Sequence, residues 1–182
     1  MMSTNTLEDN INNLKNYIEY FPDFPKPGIL YKDILSVFNS ADGIQLMDRI
    51  LKQISFNFHG KIDCIAMLES RGYMIAPILA LELNVPCIPV SKKGSLPGPV
   101  IELSYVLEYG EDSLELQLNS IKKGQRILLV DDFLATGGTL EAASRLIKKC
   151  GGEVVHGFVL MEKLELNGRN KLDFPIVSIL SE

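Results

Sequence analysis

Apolar residues recur along the chain with two different periods, and the two periods predict different elements. Apolar side chains three or four residues apart are typical of amphipathic helices. This spacing predicts helices at 7–20, 43–54, 72–83 and 139–149. Short, nearly continuous apolar runs are typical of strands covered on both faces. Such runs predict strands at 62–68, 85–90, 126–130, 154–161 and 174–180.

Strands and helices alternate from residue 62 onward, and this order predicts the fold class. Alternation of this kind builds right-handed βαβ units, so we expect an α/β fold with a mostly parallel central sheet flanked by helices. Segments 100–106 and 114–118 alternate apolar and polar residues and are predicted as the arms of a hairpin or flap. The proline-bearing segment 21–28 is predicted as an ordered extended turn. No repeat or linker divides the sequence, so we predict one domain over 1–182.

Composition narrows the classes of partner. A net charge of −5 in 182 residues argues against general binding to nucleic acid or to anionic membranes. No apolar run approaches the roughly 20 residues that span a bilayer, and the polar start is unlike a secretory signal, so we expect a cytoplasmic location. A zinc site is not expected, because the histidines and cysteines are far apart: His59, His156, Cys64, Cys87 and Cys150.

The most informative stretch follows the predicted strand 126–130. Two acids, Asp131 and Asp132, come directly after the strand, and a glycine pair opens the next predicted helix. Glycines let backbone N–H groups approach a ligand closely, and a helix start adds unpaired donors and a positive dipole end. The stretch therefore predicts a cradle for a phosphate monoester. Its residues are Ala135, Thr136, Gly137, Gly138 and Thr139.

The two acids indicate what else the ligand carries. Carboxylates accept hydrogen bonds from sugar hydroxyls or hold a magnesium shell. A ribose 5-phosphate has the required form, with a diol at one end and a phosphate at the other. Neither GxxxxGK[ST] nor GxGxxG occurs, which argues against a nucleotide hydrolase or a dinucleotide site. The alternative is a structural helix entry with capping acids, although adjacent acids at a buried strand end are costly without a partner.

Segment 131–139 resembles the phosphoribosyl pyrophosphate signature of type I phosphoribosyltransferases. From about Phe21 to Leu172 the chain is similar to the adenine-specific members of that family. Several segments carry the likeness in the family's order: the hood at 21–28 and 33–34, the pyrophosphate loop at 69–72, and the flexible catalytic loop at 96–99 and 107–110. The resemblance implies the type I phosphoribosyltransferase fold and a homodimer. It also implies a helix and hood over about 1–35 and a flexible loop or flap over 92–118.

The resemblance also implies a reaction, in which adenine and phosphoribosyl pyrophosphate give AMP and pyrophosphate. Magnesium is the implied cofactor, held through substrate and water near Asp131 and Asp132 rather than by direct protein ligands. The implied pyrophosphate site lies after two predicted strands, and an arginine there can fork onto phosphate oxygens. Its residues are Glu69, Ser70, Arg71, Gly72 and Lys92. We also predict a cis peptide bond between Glu69 and Ser70.

Glu108 is the candidate catalytic residue that the resemblance implies. A carboxylate beside the imidazole edge of adenine can take the proton that leaves the base and stabilise an oxocarbenium-like transition state. Tyr109 is expected to pack over the ligand when the loop closes. The adenine slot is expected in the hood, at Ile29, Leu30 and Lys32.

Three positions depart from the family pattern, in which basic residues are usual at Lys32, Ser91 and Ser95. Lysine at position 32 keeps the charge of the usual arginine but loses its fork. The departures predict weaker pyrophosphate binding, slower turnover or a shifted substrate preference. Two alternatives therefore stay open. One is a transferase for hypoxanthine, guanine or xanthine, and the other is a low-activity or regulatory relative that binds phosphoribosyl pyrophosphate.

Overall fold

The computed structural model describes residues 5–107 and 110–182, without the side chains of residues 106, 107, 110 and 111. The chain divides into two compact units, one ending at Asn57 and the other spanning Phe58–Glu182. The single domain predicted over 1–182 stays a prediction.

The described part of the first unit contains two α-helices and a small hairpin. Helix α1 covers Leu7–Leu14 and begins at a reciprocal pair of hydrogen bonds between Thr6 and Asp9. Strands β1 (Glu19–Pro22) and β2 (Leu30–Asp33) pair antiparallel, and helix α2 covers Ala41–Ser55.

The helix predicted at 7–20 is too long. A short 3-10 turn at Lys15–Tyr17 follows α1, and Glu19 already belongs to β1. Leu14 and Ile18 are both buried, so their helical spacing continues across the break although the backbone changes course. The turn predicted at 21–28 is wrong at its start, because Phe21 and Pro22 belong to β1 and pair with β2.

The second unit is a seven-stranded sheet with helices. Its order is β5-β6-β4-β3-β7-β8-β9, and β4, β3, β7, β8 and β9 are parallel neighbours. The α/β class and the mostly parallel sheet are confirmed. The bounds are β3 Cys64–Leu68, α3 Gly72–Leu83, β4 Cys87–Lys92, β5 Val100–Leu107, β6 Gly110–Gln117, β7 Arg126–Leu134, α4 Gly138–Lys149, β8 Glu153–Glu162 and β9 Ile176–Ser181.

Two features of this sheet go beyond the sequence prediction. The predicted hairpin is confirmed, and its second arm β6 also joins the sheet by pairing antiparallel with β4. Strand β7 continues past residue 130, because Asp131, Phe133 and Leu134 pair with β8. The two acids therefore lie within the last part of the strand rather than after it.

The centre of the second unit is apolar. Ile65, Ala66, Leu128, Leu129 and Val130 are fully buried on β3 and β7. Burial on both faces explains why these strands appear in the sequence as continuous apolar runs. No described helix combines the length and the apolar character needed to cross a membrane.

Candidate active site

The carboxyl ends of β3, β4 and β7 meet at one edge of the sheet, because the three strands are parallel neighbours. A cleft of about 390 Å³ opens at this edge, and most of the residues that line it are polar or charged. They come from the strand ends, the hairpin and the start of α4: Glu69, Ser70, Arg71, Lys92, Tyr105, Asp112, Leu114, Asp131, Asp132 and Thr139. The structure thus brings together seven residues that the sequence analysis had placed in two separate motifs.

The predicted phosphate cradle forms a second hollow of about 210 Å³, lined by residues 133–140. Gly137 has a φ of 81°, a conformation that glycine adopts without strain, and α4 begins at the next residue. No described side chain caps the first turn of α4, so its N–H groups stay available to an anion. Thr139 lines both this hollow and the cleft, so the two are adjacent at that residue.

The paired acids are linked to each other and to Arg71. The backbone N–H of Asp132 donates to Oδ1 of Asp131 at 2.9 Å, and Nη1 of Arg71 donates to Oδ2 of Asp132 at 3.1 Å. Burial, followed by the negative charge of Asp132, raises the pKa of the Asp131 carboxyl well above its ordinary value. A ligand that brings hydroxyl donors or positive charge close to Asp131 stabilises the ionised form of its carboxyl group.

The loop after β3 is held close to β7 and β4. The peptide bond between Glu69 and Ser70 is cis, which confirms that prediction. A Cβ atom at Gly72 would lie only 2.7 Å from the carbonyl oxygen of Val130, so the start of α3 requires glycine to approach β7 this closely. Oε2 of Glu69 accepts a hydrogen bond from the backbone N–H of Lys92 at 2.8 Å.

The two cations at the end of β4, Lys92 and Lys93, face the hairpin. Nζ of Lys92 lies 3.3 Å from Oδ2 of Asp112, and Nζ of Lys93 lies 2.7 Å from Oε2 of Glu102. Ser91 is buried, and its Oγ lies 2.5 Å from the hydroxyl oxygen of Tyr73. The departure from the family at Ser91 is therefore accommodated by a neutral pair of hydroxyl groups.

Sequence reasoning missed the anchor of the loop after β4, which is Glu115 on β6. This side chain is 1% exposed, and its two carboxylate oxygens accept backbone hydrogen bonds from Gly94, Ser95 and Leu96 at 2.9, 2.8 and 2.6 Å. These donors, with Gly94 first, lower the pKa of Glu115. Glu115 stands at a polar position of the alternating stretch 114–118, so its place in the sequence carries no signal that the side chain is buried.

Tyr105 on β5 was missed as well. It is 9% exposed and lines the cleft together with Thr139. Burial is the main reason that the pKa of Tyr105 is raised, so its hydroxyl stays protonated as a potential donor. Its alternating position in the sequence is typical of an ordinary strand residue and gave no separate signal.

The remaining predicted residues are Glu108, Tyr109 and three residues of the hood. Glu108 and Tyr109 lie outside the described residues, and their roles stay predictions. Ile29, Leu30 and Lys32 belong to the first unit, where β2 contains the last two. Ile29 and Leu30 are 43% and 56% exposed, so they are surface apolar residues rather than core residues.

Comparison with known proteins defines first the class and then the family. The family model described as phosphoribosyl transferase domain matches residues 34–180. Adenine phosphoribosyltransferase from Caenorhabditis elegans is 43% identical over 92% of this chain and 91% of its own length. Adenine phosphoribosyltransferase from Gluconobacter oxydans is 46% identical over 92% and 93%. The chain therefore belongs to the adenine phosphoribosyltransferase family.

A solved structure agrees with this assignment. Adenine phosphoribosyltransferase from Saccharomyces cerevisiae, complexed with an imino-altritol bisphosphate and adenine, matches with a TM-score of 0.87 and 35% identity. The match covers 95% of this chain and 99% of that one.

Proposed function

We propose that this chain transfers the 5-phosphoribosyl group from phosphoribosyl pyrophosphate to adenine, giving AMP and pyrophosphate. One observation carries the proposal. The anion cradle at residues 137–139 and the paired acids at 131–132 lie at the same edge of the sheet. A phosphate and a diol on one ligand match that pairing. The names of the relatives and their identity over nine-tenths of the chain support the same reaction.

In this proposal the 5-phosphate lies on the open N–H groups at the start of α4, with the hydroxyls of Thr136 and Thr139 as further donors. The acids Asp131 and Asp132 accept hydrogen bonds from the ribose hydroxyls. Arg71 already contacts Asp132 at 3.1 Å, so it reaches both the sugar end and the pyrophosphate end of the cleft.

The leaving group is bound by the ends of β3 and β4. Ser70, Arg71 and Lys92 supply donors and positive charge, and Glu69 orients the backbone of Lys92 through its 2.8 Å bond. Negative charge builds on the pyrophosphate as its bond to the sugar breaks, so these groups stabilise the transition state more than the bound substrate. Magnesium held through substrate and water near Asp131 and Asp132 would neutralise part of the pyrophosphate charge.

The bond changes balance in one transfer. The bond between C1′ and the pyrophosphate oxygen breaks with its electron pair on pyrophosphate, and a nitrogen of adenine bonds to C1′. The proton on that nitrogen passes to the Glu108 carboxylate, while Tyr109 covers the ligand and excludes water. Ile29, Leu30 and Lys32 hold the base.

The direct test is product analysis with purified protein, magnesium and phosphoribosyl pyrophosphate. We expect AMP from adenine and much less nucleotide from hypoxanthine, guanine or xanthine. Preference for one of those bases would move the proposal to another purine. Tight binding of phosphoribosyl pyrophosphate without product from any base would instead favour a regulatory protein.

A second copy of the chain is the partner we propose. Helix α3 is apolar on all sides, and its outer stripe includes Met74, 42% exposed, and Leu81, 82% exposed. A helix that is apolar all round is normally covered on all sides. We propose that the stripe is covered in a homodimer. A cytoplasmic location, with no nucleic-acid or membrane partner, fits the acidic charge of the chain.

A further inference from the structure

The backbone of another glycine, Gly168, packs against the backbone of the phosphate cradle. A Cβ atom at Gly168 would collide with the carbonyl oxygen of Ala135, and one at Gly137 would collide with the carbonyl oxygen of Gly168. Approaches this close are possible only between backbones without side chains. The cradle therefore keeps its shape only while the backbone at residue 168 stays in place.

The neighbouring residue, Arg169, fixes that backbone. Its guanidinium forks onto Glu162, with Nε 2.7 Å from Oε1 and Nη2 2.5 Å from Oε2. Nη1 donates to the carbonyl oxygen of Ile176 at 2.8 Å, and Nη2 lies 3.2 Å from Oγ of Ser178. Glu162 is 2% exposed, whereas the Arg169 side chain is 45% exposed, so the carboxylate is shielded from water and the two parallel contacts fix the orientation of the guanidinium.

Glu162 connects the fork to the cradle's own strand. It is the last residue of β8 and pairs with Leu134 at the end of β7. The next residue, Lys163, donates its backbone N–H to the carbonyl oxygen of Leu134 at 2.9 Å. The contacts therefore form a closed path. Leu134, just before the cradle, pairs with Glu162, which binds Arg169, and the backbone of the preceding residue, Gly168, packs against Gly137.

We propose that Arg169 is a positioning residue for the phosphate cradle. By forking onto Glu162 it holds Gly168 against Ala135 and Gly137, and it thereby keeps the cradle's N–H groups aimed at a phosphate monoester. Arg169 lines neither the cleft nor the cradle hollow, so it acts through Gly168. This inference rests on the proposed function, because it takes a 5-phosphate as the ligand of the cradle.

The proposal makes a selective prediction about ligands. Ribose 5-phosphate and AMP carry the phosphate that the cradle binds, whereas pyrophosphate binds at the ends of β3 and β4. Loss of the fork should weaken the first two and spare the third. A merely structural role for Arg169 would lower stability and weaken all three together.

The experiment is calorimetric titration of ribose 5-phosphate, AMP and magnesium pyrophosphate into wild type, Arg169→Gln and Arg169→Lys. For Arg169→Gln we expect about 10-fold weaker binding of the two 5-phosphates and less than about 2-fold change for pyrophosphate. Arg169→Lys should fall between, because lysine keeps the charge and loses the fork.

Arg126 offers a matched control at the amino end of β7. It forks onto Asp63 at 3.1 and 2.8 Å and donates to the carbonyl oxygen of Gly60 at 2.9 Å. Arg126→Gln removes the same kind of contact far along the strand from the cradle, and all three affinities should be unchanged.

Two further variants keep the test decisive if Arg169→Gln is unstable with Glu162 left unpaired. Glu162→Gln combined with Arg169→Gln removes the buried charge as well, and Gly168→Ala disturbs the cradle contact without any change of charge. Unchanged binding of ribose 5-phosphate in folded variants, or equal weakening of all three ligands, would overturn the role of Arg169. Failure of the wild type to bind ribose 5-phosphate would overturn the proposed function instead.

Discussion

Asp131 combines a functional position with an unfavourable environment in the ligand-free protein. Its pKa is raised above the ordinary 3.8, mainly by burial. An acid whose folded pKa is raised contributes stability that is fully present below pH 3.8 and is lost as pH rises through the folded pKa. At neutral pH the wild type therefore carries a loss of stability that a neutral amide at this position avoids.

We expect Asp131→Asn to raise the thermal unfolding midpoint at pH 7.5 by about 2–5 °C and to have no such advantage below pH 3.8. AMP formation should fall by at least about 10-fold, because the ribose loses a charged acceptor. Calorimetric melting across the pH range and an AMP assay check both results. Asp173→Asn, at an exposed aspartate outside the cleft, is the control, and a lower midpoint for Asp131→Asn at pH 7.5 would contradict the argument.

At this scale, residues in short linear motifs could be predicted and residues with distant partners could not. Asp131 and Thr139 stand in one nine-residue segment whose order alone indicates a phosphate and a sugar. Glu115 and Arg169 act on backbone groups or side chains brought close by the fold. Their chemistry is invisible until strands β6 and β8 are placed.

The loop after β4 is an element whose geometry depends on one buried carboxylate. Glu115→Gln keeps the shape of the side chain but removes the charge that three backbone N–H groups share. We expect the KM for phosphoribosyl pyrophosphate to rise by about 5-fold, because the loop begins directly after Lys92 and its backbone helps to fix that residue. The control is Glu102→Gln, since Glu102 pairs directly across the hairpin but is bonded to Lys93 rather than to the loop backbone. Equal KM values in the two variants would contradict this role for Glu115.

The bounds of an element were most predictable where its hydrophobic spacing stops at a residue that favours a helix end. Helix α3 was predicted at its observed bounds, because Asn84 adopts the left-handed conformation that ends it. Strand β1 was missed, because only its pairing with β2 makes Glu19 and Tyr20 extended. The addition of β6 to the sheet also depends on non-local pairing, which a hydrophobic pattern does not encode.

The molecule as a whole is expected to exist as two copies in contact through α3. Leu81→Lys places a charge on the exposed stripe, so light scattering after gel filtration should change from about twice 20.3 kDa to one chain mass of 20.3 kDa. Leu118→Lys is the matched control, because Leu118 is also exposed, at 51%, but lies after β6. A wild-type mass of one chain, or a dimer that survives Leu81→Lys, would contradict this interface.

The contact between Gly137 and Gly168 makes the ligand-binding turn a poor candidate for transplantation. Segment 131–139 contains the groups proposed to bind the 5-phosphate, yet Gly168, which lies beyond β8 in the chain, packs against its rear surface. If only that segment were moved onto another parallel sheet, the N–H donors would be transferred without the Gly168 backbone that packs behind them. A transplant would have to include two separate stretches of chain, segment 131–139 and the backbone around Gly168.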